Sequence, residues 1–187
     1  MLRKRSNEFE NYIQTGFAAI RQTTGAWLHW VNPPVCPIGM RGKMPIFAMV
    51  GSALYDIGGW TDNTKARHAA IGIELKESGK YKNSIPIIKP EGKGSGVQYH
   101  QLEALAALHR DGGLAGLVWS NGGIIGYANG EVLASAFYDY EVSRVCEERG
   151  KPVTLGVRSI SWKKFATVHG NAPESWWLEG FHNPHGA

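Results

Sequence analysis

Three residues in the first half of the chain, Asp56, Glu74 and Lys76, have side chains and spacing that suit chemistry at a phosphate group. Glu74 and Lys76 are two positions apart in the alternating segment 70–76, so on a β-strand both side chains point to the same face. Mg²⁺ prefers oxygen ligands and needs only one or two carboxylates, because water and substrate phosphate oxygens complete its octahedral coordination. A lysine beside such a pair can hold the attacking water and offset charge that develops at phosphorus. The pattern therefore predicts a magnesium-dependent active site, and the alternative that it leaves open is a solvated strand face.

Two neighbouring strands must position these three residues. Asp56 is expected at the end of a short strand over 54–57, because Gly58 and Gly59 follow it directly and are expected to break the strand. In the segment 70–76, hydrophobic residues alternate with the residues that carry the chemistry, which is typical of a strand with one face in the core.

The remaining pattern predicts an α/β fold in one domain that spans residues 1–187, with 171–187 as an irregular C-terminal arm. Hydrophobic residues at helical spacing predict a first helix that starts at Asn7 and ends at Thr24 and Gly25. Strands are expected over 26–31, 46–50, 114–120, 124–128 and 159–165, further helices over 97–110 and 132–148, loops over 41–43 and 80–96, and a hairpin turn over 121–123.

Composition indicates a cytoplasmic protein and is compatible with a polyanionic partner, although the same charge suits many ordinary cytosolic proteins. The chain has 187 residues, 43% of them hydrophobic, with a formal net charge of +4 and a pI of about 9.1. This mildly basic balance suits nucleic acid. Only two cysteines occur, Cys36 and Cys146, without metal-ligand spacing, which fits a reducing compartment. The apolar runs are far shorter than the ~20 residues that span a bilayer, so no membrane association is expected.

Asp56 followed eighteen residues later by Glu74-Leu75-Lys76 resembles the signature of the PD-(D/E)XK nucleases, with Tyr55 in place of the usual proline. The flanking sequence, over most of residues 7–165, resembles RecU-type and related phage or archaeal Holliday junction resolvases. This resemblance implies a restriction-endonuclease-like core, in which helices flank a central mixed β-sheet. The stretches that carry it are Phe9-Glu10, Asp56-Ile57-Gly58-Gly59, Glu74-Leu75-Lys76-Glu77-Ser78, and His100-Gln101 followed by Asp111-Gly112-Gly113.

The resemblance implies five catalytic residues, the first three of which hold Mg²⁺ or Mn²⁺: Asp56, Glu74, Glu10, Lys76 and Gln101. Two of these assignments have alternatives nearby. Glu10 can serve merely as a helix cap, and Glu8 competes for the role beside the metal. Gln98 lies one helical turn before Gln101, and Gln101 is preferred. His100 is expected to be a surface or hydrogen-bonding residue.

The function implied by the resemblance is metal-dependent endonuclease cleavage of branched DNA, with Holliday junctions as the first substrate expected. Paired nicks in two strands imply a homodimer. Two alternatives stay open: a nuclease of the same fold that cuts duplex ends, flaps or a specific site, and a non-catalytic DNA-binding protein of that fold. Basic residues expected to contact DNA phosphates are Arg41, Lys43, Lys80, Lys82, Lys89 and Lys93.

Overall fold

The computed structural model describes residues 8–32, 35–41, 44–49, 53–61, 69–90, 92, 94–150 and 158–167. The helices are α1 (Glu8–Thr15), α2 (Phe17–Thr24), α3 (Tyr99–Arg110) and α4 (Gly130–Glu148), with a 3₁₀ turn at Trp162–Lys164. The strands are β1 (Ala26–Trp30), β2 (Val35–Arg41), β3 (Met44–Met49), β4 (Ile57–Thr61), β5 (Ala69–Ser78), β6 (Ser84–Ile88), β7 (Val97–Gln98), β8 (Leu114–Asn121), β9 (Ile124–Asn129), β10 (Ser159–Ser161) and β11 (Ala166–Thr167).

A six-stranded mixed sheet forms the centre of the fold, in the order β1-β4-β5-β8-β9-β11. Its only parallel pair within the described residues is β5 and β8, and α3 lies in the connection between them. The order β10-β6-β7 forms a smaller sheet, and β2 pairs with β3 as an antiparallel hairpin. The predicted α/β class, with helices flanking a mixed sheet, is therefore confirmed.

The two faces of the large sheet pack against different helices. On one face, α1 and α2 contribute Phe9, Ile13 and Ile20 to a cluster with Ile57, Ile71, Ile73 and Leu75. On the other face, α3 and α4 contribute Leu102, Leu105, Leu133 and Ala136 to a cluster with Leu117 and Trp119. Burial of apolar side chains on both faces makes the sheet a rigid support, and the alternation in β5 directs its polar residues to the face that α3 covers.

The first predicted helix is two shorter helices, since α1 ends at Thr15 and α2 begins at Phe17. Gly16 lies between them, has αR backbone angles and is the N-cap of α2, and its carbonyl oxygen accepts the Ile20 N–H at 2.9 Å. The predicted end of the helical segment is confirmed, because Gly25 caps α2 in the left-handed conformation with φ 71°.

The predicted strand over 54–57 is wrong, because β4 runs from Ile57 to Thr61 and includes both glycines. Instead of breaking the strand, Gly58 and Gly59 allow close packing of β4. A Cβ atom at Gly59 would lie 2.0 Å from the carbonyl oxygen of Trp27 in β1. Asp56 therefore lies immediately before the strand rather than at its far end.

The predicted loop over 80–96 is also wrong, because it contains β6, which pairs with β10 and β7. Ile85 and Ile87 are buried and alternate with less buried neighbours, as in a strand with one face in the core. The single strand predicted over 159–165 is shorter than expected. It ends at Ser161, and a 3₁₀ turn follows.

The second half of the chain follows its predicted pattern closely, since α3, β8, β9 and α4 are present near their expected bounds. Gly122 and Gly123 have φ of 61° and 86° and form the predicted hairpin turn. Strand β2 was not predicted, while Gly42, Lys43 and the 171–187 arm lie outside the described residues. In the part of the chain that the structure describes, no helix has the length and apolarity needed to cross a membrane.

Candidate active site

Asp56 and Glu74 are brought to one face of the sheet by the pairing of β4 with β5. The antiparallel register pairs Ile57 with Ile73. Asp56 directly precedes Ile57, the Leu75 N–H donates to its carboxylate, and its charge raises the pKa of Glu74, so the two carboxylates are close together. The two acidic residues predicted to act together are therefore neighbours.

The position of Asp56 is held from the strands on both sides. The Leu75 backbone N–H in β5 donates a hydrogen bond of 2.9 Å to Asp56 Oδ2. On the other side, the Val31 N–H donates to the Asp56 backbone oxygen at 2.8 Å. These two bonds orient Asp56 beside β5 although it lies outside regular secondary structure.

Glu74 is a buried carboxylate whose two oxygens have different surroundings. Glu74 is only 1% exposed. Its Oε1 accepts hydrogen bonds from Lys76 Nζ at 2.5 Å and from Gln101 Nε2 at 2.7 Å. Its Oε2 is buried and has no hydrogen-bond partner among the residues that the structure describes. Since buried polar atoms are normally satisfied, Oε2 is an acceptor in need of a donor or a cation.

The pKa of Glu74 is raised from its ordinary value of 4.5 to about 7. Burial is the largest cause of this rise, and the negative charge of Asp56 is the second. The ammonium of Lys76 and the hydrogen bonds from Lys76 and Gln101 act in the opposite direction. A cation at this carboxylate would favour the ionised form of Glu74.

Lys76 and Gln101 link the sheet to the start of α3. Lys76 Nζ lies 3.3 Å from Gln101 Oε1, which also accepts the Gln98 backbone N–H at 3.1 Å. Of the two candidate glutamines, Gln101 is therefore the one whose side chain contacts Lys76 and Glu74. The Gln98 side chain instead donates to the Gly94 carbonyl oxygen at 3.3 Å.

A cleft of about 160 Å³ opens beside Lys76. It is lined by the end of β5, the beginning of β6, the segment before β7, Gln98 of β7 and Trp119 of β8, and its charged residues are Lys76, Glu77 and Lys82. Together with the carboxylate of Glu77, two cationic side chains and several polar groups line this cleft, and the two lysines could contact a polyanion such as a phosphate backbone.

A buried network below the cleft was missed by the sequence pattern, which indicated only a turn at Asn121. Asn121 is 0% exposed, and its Oδ1 accepts the Lys82 backbone N–H at 2.8 Å and the Ser78 hydroxyl at 3.1 Å. Its Nδ2 donates to the Lys82 carbonyl oxygen at 2.7 Å. Trp119 Nε1 donates to the Ser78 hydroxyl at 3.0 Å. The only sequence signal was that Ser78 continues the alternation of Glu74 and Lys76.

The carboxylate pair fits a magnesium ion. Two acidic side chains, one with an unsatisfied buried oxygen, are enough for an ion that takes most of its ligands from water and phosphate. A larger protein cage is absent, since the described residues contain no group of three or more His, Cys, Asp or Glu side chains that would hold a metal.

Glu10, the third predicted metal ligand, lies on the first helix of the chain. It is half-buried on α1, whose Phe9 and Ile13 pack against the opposite face of the sheet from Glu74. Its role beside a metal stays a prediction, and the exposed Glu8 remains its alternative. His100, next to Gln101, is half-buried, and its Nε2 atom has no hydrogen-bond partner among the described residues.

The predicted DNA-contacting residues fall into separate groups. Lys82 lines the cleft beside Lys76, and Lys80 is exposed two residues earlier, after the end of β5. Lys89 lines a different cavity, together with Arg144 and Arg158. Arg41 is the last residue of β2. Lys43 and Lys93 lie outside the described residues.

Comparison of the sequence with protein-family models finds no match, and comparison with curated proteins finds no significant relative. The chemistry of the site and the motif that its residues form are therefore the features that point to a function.

Proposed function

We propose that this protein is a magnesium-dependent DNA endonuclease with a restriction-endonuclease-like core, and that four-way DNA junctions are its substrate. The observation that carries the proposal is the environment of Glu74. Lys76 and Gln101 occupy one of its oxygens, while the other is buried and without a partner in the described structure, and the charge of Asp56 is close enough to raise the pKa of Glu74. A purely structural carboxylate would have both oxygens satisfied.

Asp56 and Glu74 would hold the ion, which when bound acts as a Lewis acid on the scissile phosphate and lowers the pKa of water. The Leu75 N–H keeps the Asp56 carboxylate in place, and Gln101 keeps the Glu74 carboxylate in its orientation. Lys76 has its ammonium at the same carboxylate and can approach both the attacking water and the phosphate oxygens. Its positive charge then stabilises the charge that develops at phosphorus.

DNA as the substrate is supported by the charge of the chain and by the cleft. The protein carries a formal net charge of +4, and Lys82 lines the cleft next to Lys76. Preference for a four-way junction, and a homodimer that supplies two active sites for paired nicks, follow from the resemblance to the resolvases.

A cleavage assay tests the proposal directly. The protein is incubated with Mg²⁺ and a synthetic four-way junction, a linear duplex, a flap or a single strand, and the products are separated by size. We expect junction cleavage above that of the other substrates. Cleavage restricted to flaps or ends would keep the nuclease but change its substrate, and binding without any cleavage would indicate a non-catalytic DNA-binding protein.

Asp56→Asn is the control for this assay. The amide preserves size and removes the charge that the ion needs, so cleavage should be abolished while junction binding stays near the wild-type affinity. Equal loss of binding and cleavage in a folded variant would argue against a metal-ligand role for Asp56.

A further inference from the structure

Two exposed tryptophans form a stacked pair at the edge of the large sheet. Trp27 in β1 and Trp60 in β4 are register partners, with ring centroids 5.7 Å apart and an angle of 12° between the rings. The two side chains are 42% and 44% exposed, although tryptophan, as a large residue, usually buries most of its surface. Their exposure is a cost that a binding role would explain.

A cation and a small residue border this pair. The guanidinium carbon of Arg21, an exposed residue of α2, lies 3.2 Å from the ring centroid of Trp27. On the other side of β4, the register partner of Trp60 is Ala70 in β5, which is exposed and small. Within the described part of the sheet, the small side chain of Ala70 therefore leaves space beside the Trp60 ring.

The tryptophan pair shares a sheet face with the candidate active site. Trp60 pairs with Ala70, which has the same direction along β5 as Glu74, four residues later. Trp60 also lies four residues after Asp56, a separation of about 13 Å along a strand. Stacked nucleotides rise about 3.4 Å each, so this separation corresponds to about four nucleotides.

We propose that Trp27 and Trp60 form a stacking site for an unpaired nucleobase of the DNA substrate, with Arg21 beside a neighbouring phosphate. Tryptophan rings and arginine are the side chains on which single-stranded nucleic acids stack, and stacking requires a base whose flat face is free. The site therefore selects DNA with unpaired bases near the cleaved phosphate. This inference rests on the proposed function in placing DNA on this face.

The size of the patch favours a base over a protein partner. An aromatic side chain buries roughly 150–250 Å² in full. Two rings at 42% and 44% exposure therefore offer about 200 Å² at most. A stable protein interface buries about 800 Å² per partner. One base stacked on one ring needs only a small part of that area.

Binding of fluorescently labelled oligo(dT) and of a blunt duplex, measured by anisotropy in EDTA, tests the proposal without cleavage. Trp60→Ala should weaken oligo(dT) binding by about 5- to 150-fold, the range expected for the loss of one base–aromatic stack. Duplex binding should weaken much less. Trp60→Phe should retain most of the affinity for oligo(dT), because it keeps an aromatic face.

Tyr138→Ala is the matched control, since Tyr138 is a 69% exposed aromatic residue on α4, away from this edge of the sheet. It should bind oligo(dT) as the wild type does. Unchanged oligo(dT) binding by Trp60→Ala, or an equal loss on duplex, would overturn the stacking site. So would a change from dimer to monomer in sedimentation of Trp60→Ala, which would assign the pair to contact between copies.

The outcomes separate this site from the nuclease activity. A wild type that binds oligo(dT) through Trp60 but cuts no DNA would overturn the proposed activity and support the stacking site. A wild type that cuts junctions, beside a Trp60→Ala variant with unchanged oligo(dT) binding, would overturn the stacking site alone.

Discussion

Glu74 combines burial with an incomplete set of hydrogen bonds, and this combination defines the chemistry of the site at the scale of single residues. Lys76 and Gln101 both contact Oε1, whereas Oε2 has no partner in the described structure. In the absence of a metal ion, burial of a carboxyl group costs less free energy when both of its oxygens have hydrogen-bond partners. A cation bound at Oε2 would supply the partner that this oxygen lacks in the described structure.

Lys76 should act on the rate more than on binding. Its ammonium is held at Glu74 by a contact of 2.5 Å, on the face where phosphate would lie. Lys76→Ala should lower the cleavage rate by about two to three orders of magnitude, the usual effect of removing one preorganised electrostatic group. Junction affinity should change little, because it depends on many phosphate contacts.

Lys76→Arg is the matched variant for this experiment and should not restore full activity. A planar guanidinium cannot reproduce a compact ammonium at the same position. Single-turnover cleavage at saturating Mg²⁺ measures both variants. If Lys76→Ala cuts at the wild-type rate, Lys76 has no role in the chemical step.

Burial of Glu74 should also make stability depend on pH in the absence of metal. Its pKa is about 7 in the folded protein, against an ordinary value of 4.5. The folded state therefore holds the proton more tightly, so this stabilising contribution is complete below pH 4.5 and is lost as pH rises to about 7. The shift corresponds to about 3 kcal/mol lost across that window.

Urea denaturation at a series of pH values in EDTA measures this loss against Glu74→Gln. The glutamine variant keeps every other titrating group, so the difference between the two curves isolates Glu74. The wild type should lose more of its free energy of unfolding than the variant between pH 4.5 and about 7. Parallel curves would mean that Glu74 titrates normally.

At the scale of the elements, the sequence predicted the parts whose evidence is local. Alternation along β5 was enough to place Glu74 and Lys76 on one face, and helical spacing was enough to find α3. Gln101 was picked out on that helix only by the resemblance to the resolvases. Strand β6 was missed because Pro86 and the surrounding lysines and glycines are typical of a loop. Its existence depends on pairing with the distant β10, which no local pattern records.

Asn121 shows the same limit within the site. Its type and its glycine neighbours correctly predicted the turn between β8 and β9. Its burial, and its three hydrogen bonds to Ser78 and to the Lys82 backbone, depend on a segment that approaches it only in the folded chain. The network connects the end of β8 to the rim of the cleft.

Asn121→Ala should loosen the Lys82 segment. The variant leaves the Ser78 hydroxyl and the Lys82 backbone groups without their partner, which should cost about 1–3 kcal/mol of stability. It should also weaken junction binding through Lys82. In a double-mutant cycle with Lys82→Ala, the two effects on binding should be less than additive, because both act through one side chain. Strict additivity, measured by anisotropy in EDTA, would show that Asn121 has only a structural role.

At the scale of the whole molecule, the mixed sheet would couple metal binding at the proposed site to the stability of the fold. Asp56 is bonded to β5 and to Val31, the residue that follows β1, and the Glu74 side chain is bonded to Gln101 of α3. A ligand that binds only the folded state stabilises all of it. Mg²⁺ should therefore protect the protein against unfolding, even when no DNA is present.

Thermal unfolding at pH 8, with Mg²⁺ at ten times its dissociation constant, measures this coupling. The mass-action gain is about 1.4 kcal/mol. For a domain of this size such a gain raises Tm by about 3 to 6 °C. Asp56→Asn should show almost none of this shift, because the remaining carboxylate holds the ion poorly. NaCl at matched ionic strength is the control for general salt effects, which should shift both proteins alike. If Mg²⁺ raises the Tm of both proteins equally, the ion binds elsewhere, and the buried oxygen of Glu74 must have another partner.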